Sequence, residues 1–287
     1  MPKSFRSITT NYYRAKGRHG LPSRSIFYRL FGYRMLPLLT WYYRSLGYFP
    51  SSILEHRFNL SPDHFRFWRH VSSGTWEPWT LQTLQTHLNP DSVYCDIGAW
   101  IGPTVLYAAR KCKRVFSFEP DPMAFRELSH NLALNRIANV QAFNLALTDR
   151  DGLMTMGSPN SKLGDSTTSS LHASADNRFQ VLGLTWNTWM SLVRPEKPDM
   201  LKIDIEGGEF SLLPAMTDFL ASTRPVLHLS THADFLPAAQ RREAMEKLLG
   251  AVRVYKNCED ELGRSVPLES LLAAETLDAP RAFLLTG

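Results

Sequence analysis

Residues 94–102 read Tyr-Cys-Asp-Ile-Gly-Ala-Trp-Ile-Gly, and this stretch decides the fold class. An apolar run over residues 92–97 predicts a buried strand. Gly98 and Gly102 follow it, and a helix is predicted over Pro103–Lys111. Glycines at a turn from strand to helix let the backbone approach a ligand and let the helix N-terminus face it. The stretch therefore predicts a strand, a ligand-binding loop and a helix in that order.

Strand and helix patterns alternate outward from this stretch. Strand patterns occupy residues 92–97, 114–119, 140–147, 200–205, 225–230, 251–256 and 282–286. Helical patterns occupy residues 78–88, 103–111, 123–135, a segment from near Gly208, 238–249 and 267–274. Strands separated by helices imply right-handed crossovers, so the sequence predicts an α/β fold with a parallel sheet.

A stretch rich in Ser, Thr and Gly at residues 157–174 interrupts this pattern. A loop of this length is typical of a lid or a binding segment. Residues 166–170 (Ser-Thr-Thr-Ser-Ser) would suit a polyhydroxylated substrate, and a solvated linker explains them equally well.

An acidic residue follows the second strand of this series. Glu119 stands 17 residues after Gly102, at the predicted carboxyl end of residues 114–119. A carboxylate at that edge accepts two hydrogen bonds from a ribose diol. The glycine loop and Glu119 together predict a nucleoside-containing cofactor.

The loop sequence distinguishes two such cofactors. NAD requires Gly-x-Gly-x-x-Gly around its pyrophosphate, whereas this loop is Gly98-x-x-x-Gly102 with the bulky Trp100 inside it. Asp96 would repel a pyrophosphate but would suit the ammonium group of a methionine moiety. The sequence therefore favours S-adenosylmethionine over NAD.

Four motifs follow one another along the chain: DIGAWIG, FSFEPDP, NLALTDRDG and LKIDIEGGE. Together they resemble the FkbM family of class I, S-adenosylmethionine-dependent methyltransferases, and the similarity spans about residues 76–229. The resemblance implies a Rossmann-like fold with a seven-stranded, mostly parallel sheet and an antiparallel C-terminal strand. It also implies O-methylation of a sugar, a glycan or another hydroxylated metabolite. Residues 1–75 are then an N-terminal extension, and residues 76–287 the methyltransferase domain.

The same resemblance assigns cofactor residues one by one. Asp96, Gly98, Ala99 and Gly102 match the family's cofactor loop, and Glu119 matches its ribose ligand. The family's adenine-binding stretch matches the one that holds Asn144. Trp100 departs from the pattern, because the family more often has a small or polar residue there.

The charged run at residues 201–209 supplies the candidate catalytic groups. Strand alternation places Lys202, Asp204 and Glu206 on one face, where charges need partners. A sugar hydroxyl is a weak nucleophile and benefits from a base. Asp204 is the first candidate for that base, Glu206 would hold the substrate or share the task, and Lys202 would keep Asp204 ionised. The alternative is a structural ion pair beside an acid at a helix N-terminus.

Two histidines follow the next predicted strand. His228 is the second candidate for the base, because its strand end opens onto the same cleft. With Asp204, His228 and His232 have the residue types of a metal site, but a non-ligand role is favoured for each, and no metal is expected.

The N-terminal segment has a composition of its own. The chain has 287 residues and a formal net charge of +5, yet residues 1–50 hold nine Lys and Arg and no acid. The remaining 23 basic and 27 acidic residues give a net charge of −4. Residues 1–50 also hold 12 of the 33 aromatic residues. This composition favours either an extension docked on the main domain or a peripheral contact with a membrane or another anionic surface.

Compartment and rival functions follow from the same composition. Three widely spaced cysteines predict neither a disulfide framework nor a zinc site. A cytoplasmic protein is therefore expected, either free or peripheral to the inner face of the membrane. One rival function is a non-catalytic adapter that binds S-adenosylmethionine at an anionic surface. Another is RNA methylation, supported only by the basic segment. The sequence leaves the methyl acceptor and the oligomeric state open.

Overall fold

The computed structural model describes residues 38–158, 164, 166, 168, 169, 171 and 178–287. The chain divides into two compact units, Met1–Leu46 and Gly47–Gly287. Residues 38–46 of the first unit are helical, and residues 1–37, which hold most of the basic aromatic segment, lie outside the described residues. Among the helices that are described, none combines the length and the apolar character that a bilayer crossing requires.

The second unit alternates strands and helices, labelled here in chain order. The strands are β1 (Phe49–Ile53), β2 (His56–Leu60), β3 (Val93–Ile97), β4 (Arg114–Phe118), β5 (Val140–Phe143), β6 (Ala146–Thr148), β7 (Gly152–Gly157), β8 (Arg178–Thr185), β9 (Met200–Ile203), β10 (Val226–Thr231), β11 (Asn257–Asp260) and β12 (Arg281–Thr286). The helices are α1 (Phe65–Ser72), α2 (Pro78–His87), α3 (Pro103–Lys111), α4 (Pro122–Leu134), α5 (Trp186–Val193), α6 (Glu209–Ala215), α7 (Thr217–Thr223), α8 (Ala238–Val252) and α9 (Ala274–Leu277).

Seven strands form the main sheet in the order β11-β12-β10-β9-β3-β4-β5. The pairs of β3, β4, β5, β9 and β10 are parallel, and β12 runs antiparallel to both β10 and β11. This confirms the predicted Rossmann-like class I fold, with its single antiparallel strand at the C-terminus. All five residues of β3 are buried, and β3 lies inside the sheet between β9 and β4. Open α/β sheets bind ligands at the carboxyl ends of such strands.

Two predicted strands differ from the structure. Residues 251–256 are not a strand: α8 continues to Val252, and β11 begins at Asn257. The apolar residues Met245, Leu248, Leu249 and Val252 recur at helical spacing and are all buried, which explains the longer helix.

The predicted strand at residues 140–147 is two strands in two sheets. β5 ends at Phe143, and β6 begins at Ala146 and pairs with β8 in a three-stranded sheet, β6-β8-β7. The turn between them is fixed by Asn144, whose side-chain amide donates to the backbone oxygens of Glu119 and Pro120. An apolar run alone does not show such a turn, and neither the small sheet nor α5 was predicted.

Residues 47–75 are built into the second unit, so the predicted boundary at 75/76 lies inside it. The β1–β2 hairpin buries Ile53 and Leu60, and Ser61 N donates to Asn131 Oδ1 at 2.7 Å. The other end of the Asn131 amide donates to Ile101 O at 3.0 Å. One buried amide thus joins the chain after β2 to the glycine loop.

Candidate active site

Most of the predicted site residues converge at the carboxyl edge of the main sheet. The register pairs Asp96 with Lys202 and Lys202 with His228 across three adjacent strands. β9 ends at Ile203, one residue before Asp204. The acids predicted from residues 201–209 therefore follow the strand, at the edge where the glycine loop begins.

The glycine loop between β3 and α3 requires glycine at two positions. Gly98 has φ +90°, and a Cβ there would collide with the backbone oxygen of Asp204. Gly102 has φ +93°, and a Cβ there would crowd Leu128. The backbone N–H groups of Gly98 and Ala99 both donate to Phe118 O at 3.0 Å. The loop is thus held against both neighbouring strands, β4 and β9.

Glu119 lies just past β4 and faces the loop. Its carboxylate accepts from Trp100 N at 2.7 Å and from Asp121 N at 2.8 Å. Burial raises the pKa of Glu119 to about 8, although these two backbone hydrogen bonds act in the opposite direction. Two carboxylate oxygens have about four acceptor positions, so Glu119 keeps capacity for a diol.

An apolar cavity lies next to Glu119. It lies among the loop, β4, β6 and α6. It is lined mainly by Gly98, Phe118, Pro120, Leu147, Met156 and Ile205. A glycine cradle, a carboxylate at the strand end and an apolar cavity fit the loop, ribose and base contacts of an adenosyl group. The residues present therefore fit S-adenosylmethionine.

Asp96 is buried beneath the glycine loop. Its Oδ2 accepts from Tyr94 at 3.1 Å and from Thr104 at 2.5 Å, and its Oδ1 lies 3.5 Å from Lys202 Nζ. Burial raises the pKa of Asp96, and the charge of Lys202 opposes that shift. All of these contacts come from the protein itself, so the assignment of Asp96 to the methionine ammonium stays a prediction.

Lys202 bridges two carboxylates. Its ammonium lies 3.5 Å from Asp96 Oδ1 and 3.5 Å from Asp204 Oδ2. Burial would raise the pKa of Asp204, but the attraction of Lys202 and then of His232 outweighs it, and the pKa is lowered. The Asp204 side chain keeps 23% of its surface exposed. Asp204 is therefore an ionised carboxylate that is open to the cleft.

His232 and Glu206 lie on the other side of Asp204. His232 Nε2 is 3.6 Å from Asp204 Oδ1 and 3.7 Å from Glu206 Oε2. Burial lowers the pKa of His232, but Glu206, Glu209 and Asp204 outweigh burial and raise it to about 10. Burial also raises the pKa of Glu206 to about 8. Among the described residues, Asp204, Glu206 and His232 have metal-ligand atoms within 4.8 Å of one another.

Sequence reasoning missed one acid of this cluster. Glu77 comes before the first strand of the main sheet, with φ +34°, and Pro78 then begins α2. Burial and the charge of Asp204 raise the pKa of Glu77 to about 7, whereas Lys202 and His232 act to lower it. In the sequence, the Trp-Glu-Pro run at residues 76–78 indicates only that a helix begins after Glu77, because the residue before a proline is often a helix boundary.

His228 is poorly placed as a base. It is 1% exposed, its ring lies 4.9 Å from the ring of Trp79, and neither ring nitrogen has a hydrogen-bond partner among the described residues. Burial and the charge of Lys202 lower the pKa of His228 to about 3. An imidazole with that pKa holds no proton at neutral pH. Of the two candidates for the base, Asp204 is the more exposed, and its role as the proton acceptor stays a prediction.

The described residues of the 157–174 loop contact the site. Trp100 Nε1 donates to Gly164 O at 3.0 Å, and Gly164 N donates to Asp121 Oδ2 at 2.7 Å. The hydroxyl of Ser169 donates to the backbone oxygen of Glu206 at 2.6 Å. These three hydrogen bonds join the described part of the loop to the cofactor loop and to the residues after β4 and β9, and a role of the loop in binding substrate stays a prediction.

A family model for the methyltransferase FkbM domain matches residues 96–257, more than half of the chain. No curated protein sequence matches the chain. Among solved structures, the methyltransferase FkbM from Methylobacillus flagellatus KT is similar, with 13% identity and a TM-score of 0.44. That alignment covers 77% of this chain and 60% of the other.

Two other solved structures show the same loose similarity. TYW2 from M. jannaschii, in complex with AdoMet, has 14% identity and a TM-score of 0.37, covering 83% of this chain and 84% of that one. The T. thermophilus 16S rRNA N2 G1207 methyltransferase, in complex with AdoMet and guanosine, has 17% identity and a TM-score of 0.41, covering 83% and 50%. The match to the family model is therefore the finding that assigns the chain.

Proposed function

Since this chain belongs to the FkbM family of methyltransferases, we propose that it transfers a methyl group from S-adenosylmethionine to a hydroxyl of a sugar, a glycan or a related metabolite. Its cofactor is S-adenosylmethionine. When bound, that cofactor supplies an electrophilic methyl carbon on a positively charged sulfur. The task of the protein is to bring one acceptor atom to that carbon in line.

The observation that carries the hydroxyl acceptor is the ionised Asp204 at the cleft. A neutral hydroxyl must lose its proton as its oxygen forms the new bond to carbon, and a nearby carboxylate can accept that proton. The ammonium of Lys202, 3.5 Å from Asp204 Oδ2, keeps the carboxylate deprotonated at neutral pH. Asp204 Oδ1 faces the other way, toward His232, and is the oxygen left for the acceptor.

The surrounding groups support a hydroxylated acceptor. Glu206 and Glu77 both have raised pKa values, so near neutral pH they can donate as well as accept hydrogen bonds. Such mixed donors and acceptors suit a polyhydroxylated molecule. The residues after β9 are Asp-Ile-Glu-Gly-Gly, which lacks the Asn-Pro-Pro-Tyr run of methyltransferases that modify amino groups.

The test begins with Asp204→Asn, which preserves the shape of the side chain and removes its basicity. We expect turnover to fall by about 100-fold or more, with little change in the affinity for S-adenosylmethionine measured by calorimetry. Asp91→Asn is the matched control, because Asp91 is exposed and precedes β3, far from the site. Full turnover by Asp204→Asn would show that Asp204 is only structural.

The acceptor itself is found by comparing metabolites and glycans from cells with and without the gene. We expect a hydroxylated compound that is lighter by about 14 mass units, one CH₂, when the gene is deleted. If the folded protein fails to bind S-adenosylmethionine, the proposal of a methyltransferase activity is refuted. If deletion of the gene leaves an RNA unmethylated, and no hydroxylated metabolite or glycan changes, the acceptor is a nucleic acid instead.

A further inference from the structure

We propose that Asp204, Glu206 and His232 form a binding site for one divalent transition-metal ion, of the Mn²⁺ or Zn²⁺ class. The ligand atoms of the three residues lie within 4.8 Å of one another. His232 Nε2 is 3.6 Å from Asp204 Oδ1 and 3.7 Å from Glu206 Oε2. Atoms each bonded to one ion at about 2.1 Å lie roughly 3 to 4 Å apart, so an ion fits between them with small side-chain movements.

The direct contacts among these groups are poor, which argues against a purely structural cluster. Both Nε2 distances exceed the usual hydrogen-bond range of about 2.7–3.2 Å. Glu206 Oε2 is buried and has no hydrogen-bond partner among the described residues. The His232 side chain is 8% exposed. Buried polar atoms left unpaired are costly unless a ligand satisfies them.

The carboxylate of Glu209 lies behind His232 and would orient its imidazole for binding a metal ion. Glu209 is fully buried, its Oε1 accepts from His232 N at 2.6 Å, and it lies 3.4 Å from His232 Nδ1. Its other oxygen accepts from Gly207 N at 2.9 Å. A histidine that binds a metal through one nitrogen commonly turns the other toward a carboxylate. This arrangement leaves Nε2 directed at Asp204 and Glu206.

The ligand types indicate the class of ion. One imidazole and two carboxylates form a mixed nitrogen and oxygen set, whereas Ca²⁺ and Mg²⁺ prefer oxygen alone. Among the described residues, the four acids Asp204, Glu206, Glu209 and Glu77 lie near two cationic side chains, Lys202 and His232. A divalent ion would add positive charge at Asp204 Oδ1, the oxygen that faces away from Lys202.

The consequence for catalysis rests on the proposed function. An ion held at Asp204, Glu206 and His232 has coordination positions left for the acceptor oxygen, and it would lower the pKa of that hydroxyl. Asp204 would hold the ion through one lone pair of Oδ1 and accept the proton of the hydroxyl with the other, while its Oδ2 remains paired with Lys202. Binding of the ion requires no methyl transfer, so the two proposals can fail separately.

The experiment titrates Mn²⁺, Zn²⁺ and Ca²⁺ into chelator-treated full-length protein, followed by calorimetry and by the electron paramagnetic resonance of Mn²⁺. We expect one Mn²⁺ or Zn²⁺ per chain and much weaker binding of Ca²⁺. His232→Gln and Glu206→Gln should each weaken Mn²⁺ binding by more than about 10-fold. His130→Gln, an exposed histidine on α4, is the control and should bind as the wild type does.

Thermal unfolding of the metal-free variants identifies any that do not fold, and the Co²⁺ absorption spectrum gives a second readout, since loss of the imidazole changes it. Absence of binding, or binding that neither variant weakens, would overturn the metal site. Full turnover of metal-free enzyme would overturn the catalytic role of the ion and leave the methyltransferase proposal standing. Metal binding without any methyl transfer would overturn the methyltransferase proposal and leave the metal site standing.

Discussion

The ammonium of Lys202 lies 3.5 Å from the carboxylate of Asp204, across the point where strand β9 ends. The same ammonium lies 3.5 Å from Asp96, which is completely buried under the glycine loop. One cation in the centre of the sheet therefore compensates two acids, one in the core and one at the cleft. The stability of the sheet and the ionisation of the candidate base depend on the same side chain.

Replacing this cation should affect stability and the pH profile together. Lys202→Met leaves Asp96 without its cation, and removing one partner of a buried pair costs about 3–5 kcal/mol of unfolding free energy. It also removes the attraction that lowers the pKa of Asp204, so the acidic limb of the activity profile should move to higher pH. Urea unfolding and the pH dependence of kcat measure the two effects.

The control for this change is Lys113→Gln. Lys113 pairs with Glu196 at 2.6 Å, but both side chains are about half exposed. Exposed pairs contribute little, so neither stability nor the pH profile should change measurably. An unchanged acidic limb in Lys202→Met would show that Asp204 is not the group that controls the profile.

Adding one methyl group to the loop should damage it selectively. In Gly98→Ala the new Cβ meets the backbone oxygen of Asp204, and φ +90° is a conformation that alanine adopts only with strain, of about 1–3 kcal/mol. We expect a lower melting temperature and weaker binding of S-adenosylmethionine by calorimetry.

Gly250→Ala is the opposite case, because this glycine lies within α8 with open space around it. That variant should be more stable by about 0.5–1 kcal/mol.

The protein without cofactor should lose stability as the pH rises. The pKa of Glu119 is about 8 in the fold against an ordinary 4.5, so the folded chain binds more protons than the unfolded chain between these values. Its contribution is complete below pH 4.5 and is lost as the pH rises toward 8. Glu119→Gln should therefore flatten the fall in unfolding free energy between pH 5 and 8, measured by urea titration at each pH.

The control is Glu246→Gln, on the exposed side of α8, which should keep the slope of the wild type. An equal slope in Glu119→Gln would contradict the assignment.

The sequence predicted the parts of the site that are local in the chain. The glycine loop, Glu119 and the run from Lys202 to Glu206 each combine a strand end with residues whose chemistry is specific, and the parallel order brings them to one edge. Contacts between distant segments were not readable. Glu77 reaches the cluster from before β3, and its pKa depends on Asp204, which is 127 positions away.

The errors in the fold have a similar origin. An apolar run does not show which sheet a strand joins, so the turn at Asn144 divided one predicted strand into β5 and β6. Residues 251–256 contain enough apolar residues for a strand, yet Val252 continues the buried face of α8. Packing against neighbours that are remote in sequence decided both cases.

The hydrogen bonds of the Asn131 side chain determine how far the chain can be shortened from its N-terminal side without loss of support for the cofactor loop. The amide accepts from Ser61 N and donates to Ile101 O, so the chain after β2 supports the outer side of the cofactor loop. A fragment expressed from Trp76 onward would retain every motif of the family match and would still lose this support. A domain exchange that keeps this support therefore has to transfer the whole segment Gly47–Gly287.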